Sequence, residues 1–437
     1  PPMTGRCRPL ERVRSSLVPS RGFAARGAPA KGARRAALIL LWLACAGSHA
    51  VEWQGRVKAF GSYAVFPDHA LLKQLNGSPQ QDYSLDLRNV FKQRAGAWTL
   101  FVDHELTFIG GDSRGAPSVR VEDQVRDDDR RLWNLTWELD EGSDHRLTHR
   151  LDRLAVEYRR SNLSVSIGRQ AVSWGYGVAF QPADFVNPFS PTQTDRDYKA
   201  GDDLALAQYL FADGSDFQAI AVGHRDEDEK FGSSTTTFAG KWHGFAGPVE
   251  LDVIAAKHYR DQVYGFGLIL PVKGAVIRSQ WVGTHLDGGD WKQSAVINGD
   301  YSLALWNRTL YLYAEYYRNG FGSSRTPESI VDIDPALQDR LVRGEVFTLA
   351  RHYGAVGASY QWHPLLTQTL FVLTNLTDPS VLLQTTLVYD AGDKHRLEAG
   401  VVWPTGSKGD EFGGVLASPE ATVNGGTLAH LRYVFYF

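Results

Sequence analysis

Arg169, Asp184, Asp195, Arg196, Asp197 and Lys199 fall inside one irregular stretch, Gly168 to Asp203 (GRQAVSWGYGVAFQPADFVNPFSPTQTDRDYKAGDD). Charges of both signs held at a narrow passage select what crosses it. The same charges paired with one another would only brace the segment. Trp174, Tyr176, Phe180, Phe185, Phe189 and Tyr198 are too many aromatics for a disordered linker. A long irregular segment in a compact protein is usually functional, so this one reads as a packed loop, 171–202, folded into something hollow. Gly168, Gly175 and Gly177 permit sharp changes of direction. Pro182, Pro188 and Pro191 hold a non-helical path, and Asn187 before Pro188 is extended or turning. Trp174 and the other aromatics would pin the loop to a wall, leaving the charges at a constriction.

Other candidate chemistry is thinner. His145 and His149 have the i, i+4 spacing of a helical zinc pair, but they lie where a strand begins and lack a metalloprotease glutamate. Asp127 to Asp129 and Asp226 to Glu229 are acidic runs that could hold Ca²⁺ or Mg²⁺ between lipopolysaccharide phosphates, although solvated loop tips are the default. Ser329 to Gly344 predicts a short helix from near Pro335, capping or plugging the mouth. The sequence contains no GxSxG, HExxH, phosphate loop or nucleotide fingerprint. No enzyme, cofactor or metal is expected.

The first fifty residues read as a leader rather than as fold. Nine cations and Glu11 precede an apolar run, Ala36 to Ala46, and then Ser48-His49-Ala50, the pattern of a cleaved signal peptide. The run is too short for a membrane-spanning helix. Trp42 stands where a lipobox wants Leu, against a lipoprotein at Cys45. Both cysteines, Cys7 and Cys45, leave with the leader, so 51–437 has no disulfide. Its net charge is about −11, a poor match to nucleic acid.

Through 51–437 the recurring signal is alternation over about ten residues, broken by turns. Leu310, Leu312, Ala314 and Tyr316 oppose Tyr311, Tyr313, Glu315 and Tyr317, for example. Such segments suit either a soluble sandwich or a transmembrane barrel. Their polar faces carry charges of both signs, as a water-filled barrel requires: Arg56, Lys58, Asp86, Arg88, Asp103, Glu105, Lys241, Glu250, Asp252, Arg278, Asp300, Glu315 and Arg432 would face the lumen. About eighteen strands, from 53–65 to 427–437, are predicted, with sixteen as the alternative count. Alternate connections are tight, and the others include long loops, as outer-membrane barrels sort them. The expected fold is therefore all-β: one antiparallel transmembrane barrel with an inserted loop.

Tyr433, Phe435 and Phe437 place aromatics at alternate positions up to a final Phe, which resembles the assembly signal read by the barrel-assembly machinery. GRQAVSWGYG, followed by QPADFVNPFSP and a closing GDD, also resembles a family. It looks like porin-like outer-membrane barrels of Gram-negative bacteria, mostly of unassigned function, with more distant similarity to alginate-export barrels. The resemblance is strongest from Leu151 to Asp203. It implies a single-chain barrel, a loop entering the lumen and passive movement of a small solute, without naming one. Alginate-export pores are strongly basic, and this acidic chain departs from them.

The expectation is a porin-like channel in the outer membrane. Its partners would be lipid, lipopolysaccharide, the assembly machinery and, by self-association, further copies. The alternatives are an outer-membrane component of an export or lipid-transport system and, behind it, a membrane-face enzyme with a Ser/His/Asp cluster.

Overall fold

The computed structural model describes residues 51–115, 128–195, 198–226, 228–325, 329–423 and 425–437. The expected leader, the acidic residues Asp127 and Glu227, and the constriction candidates Arg196 and Asp197 lie outside the described residues.

Eighteen antiparallel strands form the wall. They are β1 (Val51–Val65), β2 (Gln80–Ala95), β3 (Trp98–Gly111), β4 (His145–Arg160), β5 (Leu163–Gln170), β6 (Asp202–Leu210), β7 (Asp216–Val222), β8 (Thr237–Ala246) and β9 (Val249–His258). Then follow β10 (Asp261–Val272), β11 (Ala275–His285), β12 (Trp291–Leu305), β13 (Arg308–Arg318), β14 (His352–His363), β15 (Leu366–Asn375), β16 (Val381–Asp390), β17 (His395–Thr405) and β18 (Thr427–Tyr436). Each strand pairs with its sequence neighbours, and β1 pairs with both β2 and β18, so the sheet closes on itself. Phe437 completes the seam by exchanging two backbone hydrogen bonds with Gly55, each 2.9 Å.

Alternation decides which face meets which medium. On β1, Arg56 and Lys58 are buried while Val57, Tyr63 and Val65 are exposed. Trp98, Val156, Ile167, Phe238, Val253, Ile297, Val356 and Leu431 are likewise exposed on the same outer surface. A closed sheet leaves no strand edge unpaired, which is what lets strands sit in hydrocarbon. Large apolar side chains outside and charged ones inside are the polarity of a transmembrane barrel.

At one end the connections are tight, among them Gly96–Ala97, Ser161–Asn162, Lys273–Gly274 and Trp306–Asn307. At the other end lie the long segments 112–144, 171–201, 319–351 and 406–426. Three connections at that end are short as well: 259–260, 286–290 and 376–380. Length therefore sorts the two ends only in part. The expected helix forms at Pro335–Val342 (α1), where the Asp334 side chain accepts the Ala336 N–H at 2.9 Å.

The interior is not charged all round. Leu204, Ile220, Ile254 and Val282 point inward and pack with Val172, Trp174 and Val186 of the irregular loop. Phe180 of the same loop joins Tyr317, Tyr353, Phe371 and Leu373 in a second apolar cluster. These clusters give the barrel a core, and the core is made where the loop meets the wall.

Candidate functional site

The loop leaves the wall at Gly168. Its φ of +133° favours glycine, and a Cβ there would lie 2.1 Å from the Leu154 carbonyl oxygen. Strand β5 stops at Gln170, whereas β4 continues to His145. The open stretch of β4 is covered by Thr136–Glu141, which pairs Trp137 with His149 and Glu141 with Arg146. Earlier in the same connection, Arg131 bridges to His224. A piece of the β3–β4 connection thus repairs the wall where β5 departs.

Arg169 sits at that repair and does not face open lumen. Its side chain is fully buried. It donates to Asp203 at 2.8 and 3.0 Å, to Asp128 at 2.8 Å and to the Trp133 carbonyl. The guanidinium fork ties β5, β6 and the repair segment together, which corrects its expected place at the constriction. Burial works against the Asp128 carboxylate, but Arg169 and Arg131 beside it hold its pKa below the usual range.

From Trp174 the chain steps across the inner wall on one polar side chain per strand. Gln280 of β11 donates to the Trp174 carbonyl at 3.1 Å, and Asn298 of β12 to the Tyr176 carbonyl at 3.2 Å. Glu315 of β13 then accepts the N–H groups of Val178 (2.6 Å), Ala179 (3.1 Å) and Phe180 (2.8 Å). Trp174 also donates to Gln218 of β7 at 2.8 Å. Close approach there needs Gly177, where a Cβ would fall 1.6 Å from the Phe180 oxygen. Phe180 stacks on Tyr317, 4.3 Å between ring centroids.

The returning limb lies against the opposite wall. Asn187 adopts a φ of +56° and donates to the Ala200 carbonyl at 3.1 Å. Lys199 bonds Asp184 and the Val172 carbonyl. Trp174, Asp184 and Lys199 are all buried, so this ion pair braces the loop internally instead of lining a passage. Burial pushes the Asp184 pKa up to about 6, and Lys199 offsets that only in part. Asp195 reaches Lys58 of β1 at 2.8 Å. Tyr198 donates to Glu105 of β3, with the Arg88 guanidinium 3.3 Å from its ring centre.

The lumen-facing charges stand on the inner face, mostly in pairs. Arg56 meets Asp86 at 3.3 Å, Arg88 meets Asp103 at 2.6 Å and Asp152 at 3.3 Å, and Lys241 meets Asp252 at 3.3 Å. Arg278 pairs with Asp300, and Arg432 with Glu398. Glu250 shares the inward parity of Asp252 on β9. A bulge in β4 turns Asp152 as well as Arg153 inward, and Asp152 accepts from Arg153 and from Gly201 N–H. On the tight-turn side of the loop, Gln54, Lys92, Asp103, Arg153 and Gln170 border a cavity of about 520 Å³.

Sequence reasoning missed Asp152, Gln218, Gln280 and Asn298. Polar residues at inward positions of neighbouring strands were the available signal. Of the weaker candidates, His145 bonds Asp144 (2.8 Å) and Asp140 (3.2 Å), while the His149 ring packs at a tilt against His104. The two do not converge on a metal position. A hydroxyl–imidazole–carboxylate chain does occur, Thr237 to His258 (2.8 Å) to Glu345 (2.9 Å). Thr237 is fully buried there, under the pairing of Arg340 with Asp261 and Glu345 that docks α1 at the mouth. No substrate can reach that hydroxyl.

No protein-family model matches the chain, and no curated protein matches its sequence. Solved structures do match its fold. Pseudomonas aeruginosa OccK5 (OpdH) superposes with a TM-score of 0.51 at 10% identity, over 88% of this chain and 98% of that one. OccK2 (OpdF) from the same organism gives 0.50 at 10% identity, over 89% and 97%. A BenF-like porin from Pseudomonas fluorescens Pf-5 gives 0.50 at 9% identity, over 89% and 98%. At these identities the likeness is one of fold, that of an eighteen-stranded porin-like barrel.

Proposed function

We propose that this chain is an outer-membrane channel for passive diffusion of small hydrophilic solutes, exported by a cleaved leader at 1–50. One observation carries the reading: a closed barrel, apolar outside and charged inside, has its lumen crossed by a loop bonded to opposite walls. Lys58, Arg88 and Glu105 hold the loop on the β1–β3 side, and Glu315 holds it on β13. A loop so fixed narrows the bore without needing energy to move, which suits diffusion. The narrow part is bordered by Arg56, Lys58, Arg88 and Glu105 of the wall and by Asp195 and Tyr198 of the loop. Charges of both signs there favour polar solutes over apolar ones. The resemblance to alginate-export barrels does not extend to a basic bore, so polyanion export is not part of the reading.

Liposome swelling tests it. Vesicles carrying refolded protein should swell in iso-osmotic small sugars or amino acids faster than empty vesicles. Equal rates for a folded barrel would reject a diffusion channel.

A further inference from the structure

The outer face of β3 reads Trp98, Leu100, Val102, His104, Leu106, Phe108. On β4 the residues opposite them include Tyr158, Val156, Leu154, Leu151 and His149. The other face of β3 belongs to the lumen, where Asp103 meets Arg88 and Glu105 meets Tyr198. His104 and His149 are therefore outward. Their rings lie 4.6 Å apart, and Trp137 stacks on His149 at 5.1 Å.

Their height is set by the aromatics around them. Trp98 packs on Tyr158 toward the tight-turn end, and Tyr83 on Phe108 toward the loop end. Aromatic girdles mark the two interfaces of a barrel with its membrane, so His104 stands inside the apolar band with His149 close above it. Asn89, another polar residue of this face, is already served by Trp53 Nε1 at 3.3 Å. Among the described residues, neither imidazole has a hydrogen-bond partner. Hydrocarbon supplies none, and lipid headgroups do not reach that depth. Ionisable groups at membrane depth normally face a partner.

We propose that the outward face of β1 to β4 is an interface with a second copy of this chain. A neutral imidazole carries one donor and one acceptor, so the His104–His149 pair is complementary to itself across a two-fold axis, as an isologous dimer requires. Strand β1, beyond β2 on the same face, permits close approach. Between Gly55, which the Phe437 ring covers, and Tyr63 its outward residues are Val57, Ala59 and Gly61, and a Cβ on Gly61 would meet nothing within 4 Å. Small residues are what packed surfaces use where apolar burial gives no drive.

The inference rests on the outer-membrane reading, but its test is separate from conductance. Mass measurement in lipid nanodiscs should give a dimer for the wild type, and H104L/H149L should lower the dimer fraction at least tenfold while the barrel stays folded. Residues 51–437 contain no cysteine, so L106C should cross-link between copies on mild oxidation and I297C, on the far wall, should not. A wild type that stays monomeric, a double variant that stays dimeric, or equal cross-linking at the two positions would overturn the proposal. If the double variant does not fold, the wild-type mass and the two cysteine variants decide. A conducting monomer removes the interface alone, and a folded dimer that does not conduct removes the channel alone.

Discussion

The Glu315 carboxylate of β13 accepts the backbone N–H of Phe180 at 2.8 Å, across 135 residues of sequence. The same carboxylate takes the N–H groups of Val178 and Ala179. Three consecutive donors on one buried carboxylate fix the loop at its deepest crossing, and the Phe180 ring then stacks on Tyr317 two residues further along the same strand. The loop's position is set by the wall as much as by its own prolines.

Glu315→Gln keeps the shape but removes the charge and half the acceptor capacity. Hydrogen bonds to charged groups contribute about 1.5–3 kcal/mol each, although three on one group do not add. We predict a loosened loop with barrel pairing retained. Single-channel recordings should show a noisier and larger current than wild type, with the heat-modifiable band on gels unchanged.

Arg169→Leu should damage the wall itself. It strips the guanidinium from Asp203 and Asp128, both buried where β5 leaves the sheet. Removing one partner of a buried pair costs about 3–5 kcal/mol. Urea unfolding in lipid vesicles should show a loss of that size, and Arg169→Lys should fall between, because a single ammonium cannot reproduce the fork.

Two buried carboxyls outside the strands predict a pH dependence. Burial raises Asp184 to about 6, and raises Glu411, bonded to Tyr353 and Asn375, to about 7. Free carboxyls titrate near about 4. Folded pKa values above the unfolded ones mean the folded state holds extra protons between those limits. Stability from this source is fully present below about pH 4 and lost as pH rises through 6 to 7. The unfolding temperature should therefore fall between pH 4 and 7, and D184N/E411Q should flatten that part of the profile.

The wall was legible because its signals are local. Leu310 to Tyr317 alternates in sequence as it does in space, and short turns such as those at Ser161 and Asn307 separate the strands, in keeping with the tight alternate connections expected. The loop's existence was legible from its aromatics and prolines. Its partners were not, because Gln280, Asn298 and Glu315 are polar residues on separate strands that only closure aligns. Arg169 was misplaced for the same reason. Its carboxylates come from residues 128 and 203, and nothing in the spacing says that Thr136–Glu141 will mend the gap left by β5. The bulge at Asp152 shifts one residue's facing, which an alternating pattern cannot announce.

Planar-bilayer conductance of wild type beside a chain lacking residues 181–194 tests the central claim most directly. The deletion would join Phe180 directly to Asp195, about 3.8 Å between Cα atoms, so the Glu315 anchor on β13 and the Lys58 anchor on β1 cannot both hold and the crossing is lost, while no barrel strand pairs through the deleted residues. The wild type should give a stable open pore and the deletion a larger one, both from heat-modifiable barrels. A folded wild type that leaves the bilayer closed, or a folded deletion with unchanged conductance, would contradict a channel narrowed by this loop.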